Sequence, residues 1–517
     1  MRILFVYYDV NGSDPARYAC GIGSLSAFLK KKGHQTDLVY FKSELDYNNL
    51  DKKIDLFKPG IVGISATTSA IGAVKESKSF NQFTSFIKSR IGDKLVILGG
   101  SHVSVQPETI ERFDDTIDGI VIGFGEEPML ELMNKLENNE DYLNIDNFWF
   151  KQNNEIIKNK VGNFTDNWDK YFNFDREIFH NELMRLNKNA YRFGNNILGE
   201  KVFEYICCRG CPFFCSFCAA PLTKTWGKGK GWINLPSPEH VINYLNNDIE
   251  KYNLTGLAFH DDVFTFNKKW FLKWAELYTN KIGLPYACNL RVGTFDGEVT
   301  DALVESNCKI AIVGIESGNE FIRTKVGNRK MSNEKIITSL TSLKNVGINI
   351  ATNNMIGFPG ETFDQFMDTI TINALIGPDD TCASVFYPYP GTELYDYCRK
   401  EGLIDIDHDG EIVERKMSIL KFAEFPHKKL MRISEVFRRL VYYEKIIIKY
   451  FGTKSIFSLR YLEPLVTNTI LFLRSVYRYF NKVIKNIKPE VTDLQLDPNL
   501  HAKDDLKTTG INRQGLY

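Results

Sequence analysis

No apolar run in this chain of 517 residues reaches the roughly 20 positions that a bilayer-spanning helix needs. Nor is there a surplus of charge. Lys plus Arg and Asp plus Glu stand at 64 each, so the global basic footprint of a nucleic-acid binder is missing. An even spread of cysteines is absent too: of ten, five crowd between Cys207 and Cys218, while Cys20, Cys288, Cys308, Cys382 and Cys398 stand singly. That distribution excludes a secreted disulfide scaffold. The opening residues Met1-Arg2-Ile3-Leu4-Phe5-Val6-Tyr7-Tyr8-Asp9 read as a buried strand rather than a leader, so a cytoplasmic location is the expectation. There is no internal repeat.

What is present fits a globular protein of two to four domains, with 43% hydrophobic and 25% charged residues. Residues 1–140 alternate apolar strands (2–8, 36–41, 60–65, 94–98, 118–122) with amphipathic helical stretches, which predicts a doubly wound, flavodoxin-like parallel sheet. Such sheets bind ligands beyond the carboxyl ends of their strands. The loops there carry small residues: Ser65-Ala66-Thr67-Thr68-Ser69, Gly99-Gly100-Ser101-His102 and Gly123-Phe124-Gly125-Glu126-Glu127. Small side chains let a large flat ligand approach the backbone. Segment 141–195 is polar, without a sustained period, and reads as a linker packed between domains.

Over 196–425 the alternation resumes, with predicted strands 202–207, 255–260, 285–290, 309–314, 348–355 and 382–387, and six such units predict a partial TIM-like barrel. Residues 426–490 then turn helical and basic. Between Lys428 and Lys488 fourteen Lys or Arg face three Glu, interleaved with Ile446, Ile447, Phe451, Leu471, Phe472 and Phe480. Two readings stay open: a membrane-surface helix or substrate lid, and a solvated helix whose apolar side packs on the barrel. Residues 491–517 form a polar tail.

The chemistry-bearing run is Cys211-Pro212-Phe213-Phe214-Cys215-Ser216-Phe217-Cys218, placed after the first barrel strand. Three thiolates at this spacing can hold three corners of an iron–sulfur cube and leave the fourth iron open. The competing reading is a zinc site. Zinc wants four tetrahedral ligands, and although Cys207 or Cys208 could add a fourth, no His lies within 20 residues of the run.

The run resembles the Cys-x3-Cys-x-aromatic-Cys hallmark of the radical S-adenosylmethionine (radical SAM) enzymes, with Phe217 as the aromatic. The resemblance implies a 4Fe-4S cluster on Cys211, Cys215 and Cys218 and reductive cleavage of S-adenosylmethionine (SAM) to a 5′-deoxyadenosyl radical. It also implies SAM contacts at successive strand ends: Phe217, Asp261 and Asp262, Arg291, Glu316 and Ser317, and Gly357. The N-terminal segment resembles the cobalamin-binding domain of one radical SAM subfamily, which implies cobalamin contacts at Ser65, Thr67, Gly99, Gly100, His102, Gly123, Gly125 and Glu126. An Asp-x-His-x-x-Gly cobalt-ligand signature is absent, because loop 9–21 has no His. The commonest reaction so implied is methylation of an unactivated carbon or phosphorus on a small or lipid-like molecule. An electron donor such as flavodoxin or ferredoxin would serve it. Rearrangement, cyclisation or oxidation without methyl transfer is the first alternative, and a non-catalytic cobalamin or redox sensor the second.

Overall fold

The computed structural model describes the chain except for residues 11–15, 68–73, 114, 154, 163–166, 188–194, 221–232, 405–417, 422–426, 454–458 and 460–517. Its first half is a sheet of seven strands: β1 (Arg2–Tyr8), β2 (Gln35–Phe41), β3 (Ile61–Ala66), β4 (Leu95–Gly99), β5 (Gly119–Val121), β6 (Phe148–Gln152) and β7 (Glu155–Lys158). Their spatial order is β2-β1-β3-β4-β5-β6-β7, parallel as far as β5. Near-continuous apolar strands such as Ile3-Leu4-Phe5-Val6 are buried on both faces, as helices on each side of a parallel sheet require. The order reverses between β1 and β3, which sets the ligand crevice at their carboxyl ends.

Two strands were not expected. β6 and β7 add an antiparallel hairpin from within the segment read as a linker. Phe148 and Phe150 point into one core cluster and Trp149 and Ile156 pack against the other, while Gln152 and Glu155 are exposed, so a short edge hairpin rich in polar residues carried little apolar signal in sequence.

The second half is a sheet of six parallel strands in chain order: β8 (Val202–Tyr205), β9 (Gly256–Phe259), β10 (Tyr286–Leu290), β11 (Cys308–Glu316), β12 (Asn349–Ile356) and β13 (Asp380–Val385). β8 and β13 do not pair among the described residues, so the barrel is partial. Helices 238–252, 268–281, 297–305, 333–345, 363–376 and 393–400 follow the strands in turn. Each begins at a Ser, Asn, Asp or Thr (Ser237, Asn267, Asp296, Ser332, Thr362, Thr392) whose side chain accepts a backbone N–H three residues on.

The C-terminal helix His427–Phe451 lays Leu430, Ile433, Phe437, Leu440 and Ile447 against Phe363, Phe366, Ile370 and Val385. Its apolar side is therefore covered by the barrel, and of the two readings for this basic region the packed helix describes it over these residues. No helix among the described residues is long and apolar enough to cross a membrane. The remainder of the basic stretch, apart from Gly452, Thr453 and Leu459, and all of the polar tail lie outside the described residues.

Candidate active site at the mouth of the partial barrel

The loop after β8 has little regular structure, so its backbone must be tied by other means. Ser216 N–H donates to Gly327 O at 3.3 Å, and its hydroxyl donates to Val326 O. Asn328 Nδ2 donates to Phe214 O at 2.7 Å, and Leu394 N–H to Ser216 O at 2.9 Å, so the turn after β11 and the helix after β13 both strap the cysteine loop. At its upstream end, Asp261 accepts from the backbone N–H groups of Cys207 (3.2 Å) and Cys208.

All ten cysteines are free thiols. Cys207 is packed in the barrel core and the Cys208 thiol donates to Gly210 O at 3.2 Å. Burial pushes the Cys211 thiol up to about 11 and that of Cys218 up to about 12. Thiols so placed ionise in exchange for a metal rather than for water. Cys215 and Cys211 both act on the Cys218 thiol, so the three stand near one another. A cubane takes each thiolate on a different iron, and three neighbouring thiols fit that donor set.

Around this loop stand charges from the neighbouring strand ends. Arg291, after β10, donates from Nη1 to Cys215 Sγ at 3.4 Å, and its guanidinium lies 4.1 Å from the Phe213 ring centroid. Arg329 donates from Nη1 to the same sulfur at 3.5 Å and from Nη2 to Gly314 O at 2.6 Å. Glu316 closes β11 with its Oε1 3.6 Å from Arg329 Nη1. Its φ of 68° is the left-handed region, a strained setting for a residue with a side chain. Gly314 makes room for it, since a Cβ there would lie 2.3 Å from Glu316 Oε1. Burial raises the Glu316 carboxyl against the opposing pull of Arg329 and then Arg291. Asp262 is exposed, yet desolvation raises its carboxyl and its charge acts on Cys208, Cys211 and Cys218. These observations agree if Asp262 faces an enclosed mouth rather than bulk water.

The other expected SAM contacts sit differently. Asp261 is 1% exposed and spent on the two backbone amides, with burial raising its carboxyl to about 7. Ser317 is fully buried, its hydroxyl accepting from Asn319 N–H and its carbonyl from Arg323. Gly357 is buried, and its N–H goes to Glu361 Oε2 at 2.6 Å. Phe217 is half-buried, 5.8 Å from Phe358 between ring centroids. Of these four, Phe217 alone shows surface. Arg329 was not among the expected residues, and no motif marks it.

In the first sheet, Ser65, Thr67, Gly99, Gly100, Gly123 and Gly125 are half-buried at the carboxyl ends of β3, β4 and β5. Gly100, at φ 101°, brings β4 so close to β3 that a Cβ would lie 2.6 Å from Ala66 O. This neutral cradle of backbone fits a large flat cofactor such as cobalamin. Thr68 and Ser69, part of one expected loop, lie outside the described residues.

His102 is 1% exposed on the short helix 101–105, and burial, with Arg112 adding to it, lowers its ring to about 4. Glu126 is 3% exposed, and its Oε1 accepts from Ser24 Oγ at 2.8 Å and Arg209 Nη2 at 2.6 Å. Burial opposes its ionisation, but the charge and hydrogen bond of Arg209, with Ser24, carry the carboxyl below its ordinary value. Both side chains are enclosed by protein. Arg209 precedes Cys211 by two residues, so this ion pair joins the turn after β5 to the cysteine loop.

Comparison with known proteins matches these two regions to two families. Residues 205–371 match the radical SAM superfamily and residues 18–133 the B12 binding domain. A Pyrococcus horikoshii protein named as an uncharacterised methyltransferase is 27% identical over 389 residues, 74% of this chain and 79% of that one. The anaerobic magnesium-protoporphyrin IX monomethyl ester cyclase of Rubrivivax gelatinosus is 22% identical over 422 residues, 76% of this chain and 69% of that one. In fold, the chain resembles the radical SAM methyltransferase TsrM of Kitasatospora setae, solved with tryptophan and a SAM analogue, with a TM-score of 0.62 at 15% identity over 78% of this chain and 77% of that one.

Proposed function

We infer that this chain, a radical SAM enzyme with a cobalamin-binding domain and with a 4Fe-4S cluster, SAM and cobalamin as its cofactors, transfers a methyl group to an unactivated carbon or phosphorus of a small organic substrate. When bound, these groups supply a carbon radical able to take an unactivated hydrogen, and a methyl group carried on cobalt. The observation that carries the reading is one ion pair. Arg209 Nη2 on Glu126 Oε1 holds the cysteine loop against the turn after β5, which brings the two candidate sites side by side.

In this reading Cys211, Cys215 and Cys218 hold the cluster. Arg291, with one polar contact of its own, meets the carboxylate of SAM, while Asp262 and Glu316 face its cationic parts. Phe217 supplies an apolar wall. Ser65, Thr67, Gly99, Gly100, Gly123 and Gly125 cradle cobalamin by their backbone, with no protein imidazole offered to cobalt from the described part of loop 9–21. An external one-electron donor of the flavodoxin or ferredoxin kind completes the system.

The test is anaerobic incubation of the reconstituted protein with reductant, extract of its source cell and SAM labelled in the methyl group. Label in a new methyl-bearing product supports methyl transfer. The likeness to the cyclase favours a second reading, radical chemistry without methyl transfer. In that case the label stays in methionine while 5′-deoxyadenosine accumulates with an unmethylated product.

A further inference from the structure

Of the three cysteines, Cys215 is singled out by two guanidinium groups, from Arg291 at 3.4 Å and Arg329 at 3.5 Å. Cys218 Sγ instead accepts the backbone N–H of Ala220 at 3.4 Å. Both arginines are buried, at 7% and 8% exposure, so water screens neither charge strongly. They differ in what else holds them. The guanidinium of Arg291 has Cys215 as its one polar contact among the described residues, and otherwise lies over the Phe213 ring. Arg329 is pinned: Nη2 donates to Gly314 O at 2.6 Å, Nη1 stands 3.6 Å from Glu316 Oε1, and its backbone N–H donates to Arg323 O at 2.9 Å. An entering carboxylate can draw Arg291 away from the sulfur. Arg329 stays.

Reduction adds one electron, from an external one-electron donor, to a cluster already carrying thiolate charge, and makes or breaks no bond. A fixed cation donating to a ligand sulfur stabilises the more negative state and raises the potential. We propose that Arg329 is a positioning residue that eases reduction of the cluster by holding a permanent charge on Cys215, and that it does so independently of SAM binding. The inference rests on the radical SAM reading above.

The experiment is an anaerobic potentiometric titration of the reconstituted full-length chain, followed by the electron paramagnetic resonance of the reduced cluster, with SAM binding measured in parallel. Arg329→Met lowers the reduced-to-oxidised ratio at a fixed poise by about tenfold, about 59 mV for a one-electron couple. Its SAM affinity falls less than that of Arg291→Met. Arg329→Lys restores part of the potential, and Lys325→Met, which removes an exposed cation from the same turn, leaves it unchanged. If Arg329→Met assembles no cluster, Arg329→Gln, which keeps a donor but drops the charge, is read in the same way. A full cluster with an unmoved potential overturns the inference, as does failure of both folded variants to hold a cluster, which would make Arg329 an assembly residue. A wild-type chain with no cluster signal defeats the radical SAM reading itself and is told apart by that blank.

Discussion

The two sheets both put their sites at the carboxyl ends of parallel strands, but they furnish them in opposite ways. In the barrel the six helices from 238–252 to 393–400 each start at a side-chain cap, from Ser237 to Thr392, and Asp262, Arg291, Glu316 and Arg329 stand at the strand ends. In the first sheet the helices 20–31, 47–57, 101–105 and 126–137 have no side-chain cap, and the strand ends offer glycine, serine and threonine. Charged ligand parts need fixed counter-charges, whereas a broad neutral ring needs close backbone and room. In the proposed reading, the difference teaches that one fold principle serves a grip by side chains in one half of a chain and by main chain in the other.

If the halves are separate devices joined at Arg209, cutting that joint has the largest effect of the substitutions that leave the cysteines intact. Arg209→Met strands the Glu126 carboxylate in a buried setting, and removing one partner of such a pair costs about 3 kcal/mol. Chemical denaturation reads that loss. Iron content of the folded fraction stays that of wild type, because Arg209 holds the loop and not the metal. Equal stability of the two proteins would erase the joint.

The capping contrast is sharpened by a smaller change. Thr362→Ala removes a hydroxyl that accepts from Gln365 N–H at 3.3 Å and costs about 1 kcal/mol, whereas Ala19→Ser at an uncapped start gains or loses much less. Matched thermal melts compare the two.

The smallest effect at neutral pH belongs to His102, which separates burial from ligand contact in the first sheet. Its ring is lowered to about 4 from an ordinary 6.5, so the unfolded chain takes up the proton first as pH falls. Its contribution to stability is whole above pH 6.5 and declines between 6.5 and 4, by about 1.4 kcal/mol per unit. His102→Gln lacks that slope in denaturation curves taken across the window. Identical pH profiles would refute the burial account.

Much of this was legible in sequence because the periods were clean. The predicted strand 2–8 is found as Arg2–Tyr8 and the predicted strand 36–41 as Gln35–Phe41, since apolar runs mark such ends. The spacing of Cys211, Cys215 and Cys218 marks the loop as the candidate site before any fold is known. Local spacing says nothing about which of two adjacent acids turns inward: Asp261 serves the backbone while Asp262 faces the mouth. It is equally silent on partners that meet only after folding. Arg329 reaches Cys215 across 114 positions, and Arg209 reaches Glu126 across 83. The hairpin 148–158 escaped notice because its two strands are only five and four residues long, with Lys151, Gln152, Glu155 and Lys158 interrupting the apolar pattern.

The account turns on Cys211, Cys215 and Cys218 holding a cube whose remaining iron accepts SAM. The most direct measurement is electron paramagnetic resonance of the anaerobically reconstituted, reduced chain before and after SAM is added, beside Cys215→Ala. The expected result is a cubane signal at four irons per chain whose shape changes with SAM, and no such signal in the variant. Stoichiometric zinc on the wild-type thiols, or a cubane signal that ignores SAM, would contradict it.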